Sequence, residues 1–338
     1  MKNNNLNSFK VIDSINNKNL NLDRDFTKSR KDENLKPWQV TGLTDGEGSF
    51  TISNYVSKTG STIKLEFKVT QKSHSEGILH ELKNYFNCGS VVIDNRKTDT
   101  KKYRVSKISD ILYKIIPHFE IYPCLTSKFL NFSDWKKIAL IMKNKEHLTF
   151  VGLEKIKIIK TKMNSNRNFE DKYNYCKNSL CLINGESLFK LPEHWLQAFL
   201  DGECTFYNYL IEKEIKGKIY FTCDSSLEIG QNNHDIAILL AIKNFFKGGY
   251  IKPKYNVNDI IDCKNSRSLN RFILRDTEAI IQFIDNYPLL TRKQLDYTDW
   301  KKIIELKKSG YHKTLEGRKL MKIIISQMNS SRNSNNRN

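Results

Sequence analysis

Apolar positions along this chain follow two periods, and the two alternate in a set order. Ser49-Phe50-Thr51-Ile52-Ser53-Asn54-Tyr55-Val56 mostly alternates polar and apolar, which predicts a strand with one buried face. Lys58-Thr59-Gly60-Ser61 is turn-forming, and residues 63–71 alternate again. The two runs therefore predict a hairpin, with Leu65, Phe67 and Val69 turned inward and Lys64, Glu66, Lys68 and Thr70 outward. Residues 76–86 carry helical spacing and stop at Asn87-Cys88-Gly89. Residues 90–93 and 102–106 read as a second strand pair, and residues 110–119, 129–143 and 153–163 as helices. A short apolar helix precedes all of these. It opens at Pro37, in the first turn, where the missing N–H is not needed.

The same order then restarts. Asp45-Gly46-Glu47 recurs 156 positions later as Asp201-Gly202-Glu203. Phe67-Lys68-Val69-Thr70-Gln71 recurs after 160 as Leu227-Glu228-Ile229-Gly230-Gln231, and Lys83-Asn84-Tyr85-Phe86 after 160 as Lys243-Asn244-Phe245-Phe246. Asp134-Trp135-Lys136-Lys137-Ile138 recurs after 165 as Asp299-Trp300-Lys301-Lys302-Ile303. Slowly growing offsets mean a collinear duplication with small loop insertions. The expected organisation is a flexible leader (1–36), a first repeat (37–165), a polar linker (166–190), a second repeat (191–329) and a disordered tail (330–338). The fold class is α+β, built from a duplicated αββαββα unit.

Composition narrows the partner. The 338 residues hold 39% hydrophobic positions, enough for a core, and a net charge of +19, which calls for a polyanion such as nucleic acid. No run of about 18 apolar residues exists, so no membrane span is expected. The seven cysteines are irregularly spaced, which fits reduced thiols, and Cys176 with Cys181 lacks the further ligands a zinc site needs. Richness in Lys, Asn and Ile suggests an AT-rich organellar genome, and a mitochondrial origin is expected on that basis.

The two opening helices carry the candidate chemistry. Gly42 and Gly46 share one helix face, as do Ala198 and Gly202, so the two backbones can approach closely. Packed together, the helices bring Glu47 and Glu203 to one place. A carboxylate at a helix C-terminus opposes the dipole, and two of them repel, so a cation must compensate. Divalent Mg²⁺ fits, since it takes a few carboxylates, waters and phosphate oxygens, and it suits phosphodiester hydrolysis.

The motifs Thr41–Gly48 and Gln197–Cys204, followed in each half by hairpin, helix, strand pair and helices, resemble a single-chain, two-motif LAGLIDADG homing endonuclease from about Trp38 to Met328. That resemblance implies two four-stranded antiparallel sheets forming a saddle over double-stranded DNA, with the helix pair at the pseudo-two-fold interface. It makes Glu47 and Glu203 the catalytic, metal-binding acids, with the backbone of Gly46 and Gly202 as further ligands, and leaves Asp45 and Asp201 to structural hydrogen bonds. It implies Mg²⁺ or Mn²⁺ as cofactor, with Ca²⁺ binding without supporting cleavage. Gln71 and Gln231 match residues that order water near the metals; their alternative is a plain strand-end amide. Lys128 and Lys293 match an active-site lysine that polarises water or steadies charge; their alternative is an ordinary phosphate contact. Two departures stand out. Ala198 replaces Gly42, and Cys204 replaces Gly48 at a turn expected to need positive φ, so the second half is expected to turn differently.

The outward rows of the sheets are expected to read base edges in the major groove. In the first half the row is Ser49, Thr51, Ser53, Tyr55, Lys64, Glu66, Lys68 and Thr70, with Arg96 and Arg104 on the second strand pair. In the second half it is Thr205, Tyr207, Tyr209, Ser226, Glu228, Lys252, Lys254 and Arg271. The rows differ although their buried partners match, so a long asymmetric target is expected. The function expected is that of a monomeric, site-specific double-strand DNA endonuclease of an intron or mobile element. The alternative is an RNA-binding intron maturase on the same scaffold, and a third class is a basic packaging protein.

Overall fold

The computed structural model describes residues 34–57, 60–183, 186–253 and 269–329. The expected leader (to residue 33), the tail from residue 330, and Lys254 lie outside the described residues. Helix α1 (Pro37–Glu47) runs directly into strand β1 (Gly48–Ser57), which pairs antiparallel with β2 (Gly60–Lys72). Helix α2 (Gly77–Phe86) follows and ends on Asn87 in the left-handed conformation. Strands β3 (Ser90–Asn95) and β4 (Thr100–Val105) complete a four-stranded sheet of order β1-β2-β4-β3. Helix α3 begins at Ile108–Asp110, passes through a π stretch at Ile111–Ile115 and finishes as Ile116–Ile121, longer than the apolar spacing predicts. Helices α4 (Lys128–Lys143) and α5 (Phe150–Thr161) close the first half.

The second half repeats the order. Helix α7 (Glu193–Glu203) enters β7 (Cys204–Ile215), paired with β8 (Lys218–Asn232); α8 (Ile236–Phe246), β9 (Tyr250–Pro253) and β10 (Leu269–Leu274) follow, in a sheet of order β7-β8-β10-β9. Helices α9 (Thr277–Asn286), α10 (Lys293–Lys308) and α11 (Leu315–Ser326) finish it. In each half the inward row of the sheet meets the helices. Phe50, Leu65, Phe67 and Val69 are buried in the first, and Phe206, Leu227, Ile229 and Phe272 in the second. Each core also takes a residue from the other half: Leu290 and Ala198 sit in the first cluster and Leu125 in the second. The halves are thus stitched through their cores, not merely tethered.

The stretch expected as a bare polar linker is ordered. It folds as helix α6 (Phe169–Ser179) and a small hairpin of β5 (Leu182–Ile183) with β6 (Glu186–Ser187). Phe169, Tyr173, Cys176 and Leu180 are spaced three or four apart, which gives an otherwise polar segment one apolar stripe. Cys176 and Leu180 are buried in the second core, while Tyr175 stacks on Phe129 of α4 and its hydroxyl donates to the Cys124 carbonyl. The segment therefore grips both halves. Among the described residues, no helix is long and apolar enough to cross a membrane.

Candidate active site

Helices α1 and α7 pack face to face and end together. A Cβ placed on Gly42 would lie 2.3 Å from the Trp195 carbonyl oxygen and 3.0 Å from the Ala198 Cβ. Only glycine fits there, and the opposing alanine methyl fills the space that this leaves. One turn on, Gly46 and Gly202 face each other, a Cβ on Gly46 falling 3.6 Å from the Gly202 Cα. Gln39 and Gln197 join the helices by a 2.8 Å amide hydrogen bond, and the Trp195 indole donates to Asp45 across the seam at 2.8 Å.

Both helices leave for their strands with extended geometry: Gly48 at φ −86°, ψ 161° and Cys204 at φ −88°, ψ 157°. The second half does not turn differently, because neither copy uses a left-handed residue. The chain passes straight from helix to strand, so Cys204 carries no backbone penalty. Its thiol is buried.

Asp45 and Asp201 hold the helix ends in place. Asp45 accepts from the Leu125 and Thr126 amides (2.8 and 3.2 Å) and from the Thr126 hydroxyl (2.5 Å). Asp201 accepts from the Leu290 and Thr291 amides (2.6 and 3.0 Å) and from the Thr291 hydroxyl (2.7 Å). Lys128 donates to the Gly46 and Thr44 carbonyls (2.7 and 3.0 Å), and Lys293 to the Cys204 carbonyl (2.6 Å). Each lysine thereby places a charge on the negative end of its own half's helix.

Glu47 and Glu203 are the last residues of the two helices. Each side chain lies over the other helix's glycine: a Cβ on Gly202 would meet the Glu47 Cγ at 3.4 Å, and one on Gly46 the Glu203 Cγ at 3.9 Å. Neither carboxylate makes a hydrogen bond among the described residues. Glu47 is exposed on its outer side, yet desolvation where it lies against the second helix raises its carboxyl above the usual range, against the pull of Lys128 and Lys293. Burial likewise pushes Glu203 up to about 7, opposed by Lys128 and reinforced by the Glu47 and Asp235 charges.

Two cavities flank the pair. One, of about 280 Å³, is lined by Glu47, Gln71, Gly202 and Lys293, with Lys72 and Arg292 beside them. The other, of about 390 Å³, is lined by Glu203, Gln231, Gly46 and Lys128, with Asp235 and Lys172 beside them. Every cavity thus combines one half's acid and glutamine with the other half's lysine and glycine. The buried Gln71 amide nitrogen has no hydrogen-bond partner among the described residues, a donor open to a bound water. Among the described residues no three His, Cys, Asp or Glu side chains gather as a metal cage. The donor set instead suits an ion that takes one or two carboxylates and completes its shell with water and phosphate oxygens.

The sequence pattern did not single out Lys72, Arg292, Asp235 or Lys172. Arg292 was within reach, since it fills the variable place of Leu290-Thr291-Arg292-Lys293. Asp235 accepts from the Ser127 amide (2.8 Å), the Ser127 hydroxyl (3.1 Å) and the Cys176 thiol (2.8 Å). Burial works against its charge, but the His234 contact and these donors outweigh it and hold its carboxyl low.

The outward rows lie on the sheets as the alternation requires. Ser49, Thr51, Ser53, Lys64, Glu66, Lys68, Thr70 and Arg104 are half-buried, and Arg96 is exposed beyond the end of β3. Tyr55 lies on β1. Glu66 sits among Lys102 (3.3 Å) and Arg104 (3.8 Å), so that row is already charge-paired. In the second half Thr205 and Glu228 are half-buried, while Tyr207, Tyr209, Lys252 and Arg271 are exposed; Arg271 is 3.7 Å from Glu228. Ser226 departs from the expectation of an open reading position. It pairs with Tyr207, but its short side chain is 8% exposed and sits below its larger neighbours.

The sequence matches the family described as LAGLIDADG endonuclease over residues 40–139 and 196–304. It is 30% identical to probable intron-encoded endonuclease 3 of Neurospora crassa, over 89% of this chain and 56% of that protein. It is 29% identical to probable intron-encoded endonuclease 2 of the same organism, over 86% of this chain and 64% of that one. The chain thus spans little more than half to under two thirds of these relatives' length. The fold superposes on I-SmaMI bound to cleaved DNA with a TM-score of 0.72 at 27% identity, covering 89% of this chain and 99% of that one. I-LtrWI bound to target DNA gives 0.72 at 29% identity, covering 87% and 98%.

Proposed function

Because the chain belongs to the LAGLIDADG endonuclease family, we propose that it is a site-specific double-strand DNA endonuclease, encoded with a mitochondrial intron and acting as a monomer. The observation that carries this reading is the pair of cavities, each assembled from both halves around one carboxylate. Two equivalent chemical sites side by side suit a substrate with two strands.

In each cavity the glutamate would hold a divalent ion, Mg²⁺ for cleavage, with the facing glycine carbonyl as a further ligand: Gly202 beside Glu47, and Gly46 beside Glu203 once Lys128 gives that carbonyl up. The bound ion would supply Lewis-acid activation of water and stabilisation of the leaving oxygen. The protein's own groups do the rest. Gln71 and Gln231 orient the attacking water through their side-chain amides. Lys128 and Lys293, fixed on helix-end carbonyls, hold positive charge beside the cavities and favour the phosphorane-like charge that develops during displacement. Burial raises both carboxyls, and a bound cation would stabilise the charged forms in place of the water that burial removes.

The +19 charge supplies phosphate attraction, and the outward rows supply base contacts. Unlike rows on matching frames favour a long asymmetric target, with Ser49, Lys64, Lys68 and Arg104 on one side and Thr205, Tyr207, Tyr209 and Arg271 on the other. Relatives named as intron-encoded, including Cox1-I1b of Schizosaccharomyces pombe, support the organellar origin. A maturase that only binds intron RNA has no use for two carboxylates held against each other.

The test is cleavage of a randomised plasmid library with Mg²⁺. A discrete site should be cut by the protein and left intact by the Glu47→Gln/Glu203→Gln double variant. Cutting that survives both substitutions contradicts the mechanism, and RNA-selective binding without any cutting supports the maturase instead.

A further inference from the structure

The two cavities are not charged alike. The Glu47 cavity draws Lys72 from the end of β2 and Arg292 from the start of α10, in addition to Lys293. The repeat aligns Lys72 with Asn232 and Arg292 with Ser127, so the Glu203 cavity lacks both cations. It also gains a buried carboxylate, Asp235, where the first half has Ser75. On repeat-derived residues alone, that cavity would set Lys128 against Asp45, Glu203 and Asp235, whereas the Glu47 cavity sets Lys72, Arg292 and Lys293 against Glu47, Asp201 and Asp296. A second strand's phosphate would meet net negative charge.

The missing cation comes from outside the repeat. Lys172 lies on α6, the helix between the halves, and lines the Glu203 cavity beside Asn131 and Asn164. The side chain is half-buried, yet its ammonium makes no hydrogen bond or ion pair within 4 Å among the described residues. Partly out of water, and attracted only at longer range by the Asp235 carboxylate, the ammonium keeps room for a close anionic partner. The helix that carries it is firmly placed. Arg167 at its base pairs with Asp134 of the first half, and Cys176 bonds Asp235 of the second.

We propose that Lys172 is a DNA-phosphate ligand of the Glu203 cavity alone, touching the backbone of the strand cut there and taking the place that Arg292 and Lys72 fill in the Glu47 cavity. This inference rests on the endonuclease reading. It makes the connecting helix a working part of one of the two active sites.

The experiment uses the full chain and a duplex recovered from the plasmid library, with the two strands labelled differently. Glu203→Gln first identifies the strand that Glu203 cuts. Lys172→Ala should then slow single-turnover cleavage of that strand about tenfold or more and leave the other strand within about twofold; this would be the loss of one charged contact. Lys172→Arg should restore most of the rate. With Ca²⁺ in place of Mg²⁺, the alanine variant should bind the same duplex with a salt-dependence slope smaller by about one. Equal slowing of both strands, or no slowing of either, overturns the proposal. If the unsubstituted protein cuts no library member, the endonuclease reading fails and takes this inference with it.

Discussion

The two halves share a frame and differ in how they fill it. Trp135 and Trp300 donate to equivalent strand carbonyls, Thr51 at 3.2 Å and Tyr207 at 3.1 Å, and Asp45 and Asp201 grip equivalent loops. Within that frame the first half buries a polar trio: His118 contacts the Thr41 hydroxyl at 3.2 Å and the Tyr85 hydroxyl at 3.0 Å. The second half places Phe283 and Phe245 at the matching positions, with their rings 5.4 Å apart. The loop grip on each helix-end aspartate and the tryptophan bond to the first strand recur in both halves, while the Trp195 bond to Asp45 and the His118 network occur in one.

The two halves are least interchangeable at the seam. Gly42→Ala drives a methyl against the Trp195 carbonyl, and should cost about 3 kcal/mol with the helix pair forced apart. The reverse change in the other half, Ala198→Gly, removes a methyl that already fits and should cost about 1 kcal/mol by denaturant unfolding. Asp45→Asn and Asp201→Asn should both destabilise, the first by about 1 kcal/mol more, because only Asp45 also accepts from the Trp195 indole. Equal effects would show that the cross-seam bond contributes nothing.

His118→Phe transplants the second half's solution into the first, at a cost of about 1 kcal/mol at neutral pH for the lost hydrogen bonds. The pH dependence should then change. Burial lowers the His118 pKa to about 3, so its stabilising share is full above the unfolded value near 6.5 and is lost as pH falls toward 3. Acid melting in that window should be shallower in the Phe variant. Glu203 acts with the opposite sign. Its carboxyl is raised to about 7, so the metal-free protein should be most stable below about 4.5 on this account and lose that share as pH rises through 7. Thermal melts in EDTA across that range should flatten in Glu203→Gln. An unchanged slope would mean that the acid is not strained in the free protein.

Much of this was legible before the structure. Core-facing residues repeat at nearly constant offsets because each half must bury the same sheet face, and that regularity gives strand order and helix count. The seam was legible because small residues four apart have little other reason to recur. Ser226 was not, since alternation assigns a face but cannot say that a short side chain will be overshadowed. The turn at Cys204 was misjudged because a glycine at Gly48 suggests a left-handed cap, when the chain enters the strand extended. The α6 helix escaped because its stripe is thin and it has no repeat partner to confirm it. Asp235 and Arg292 escaped for a further reason: each cavity joins residues of opposite halves, and no sequence spacing records such meetings.

If each cavity serves one strand, strand-resolved cleavage of a recovered target duplex by the single variants Glu47→Gln and Glu203→Gln in Mg²⁺ should show it. Each variant should become a nickase, the two cutting opposite strands, with the disabled strand slowed about a thousandfold or more. Loss of both cuts from either single substitution would contradict it, and would mean that the two acids form one shared site.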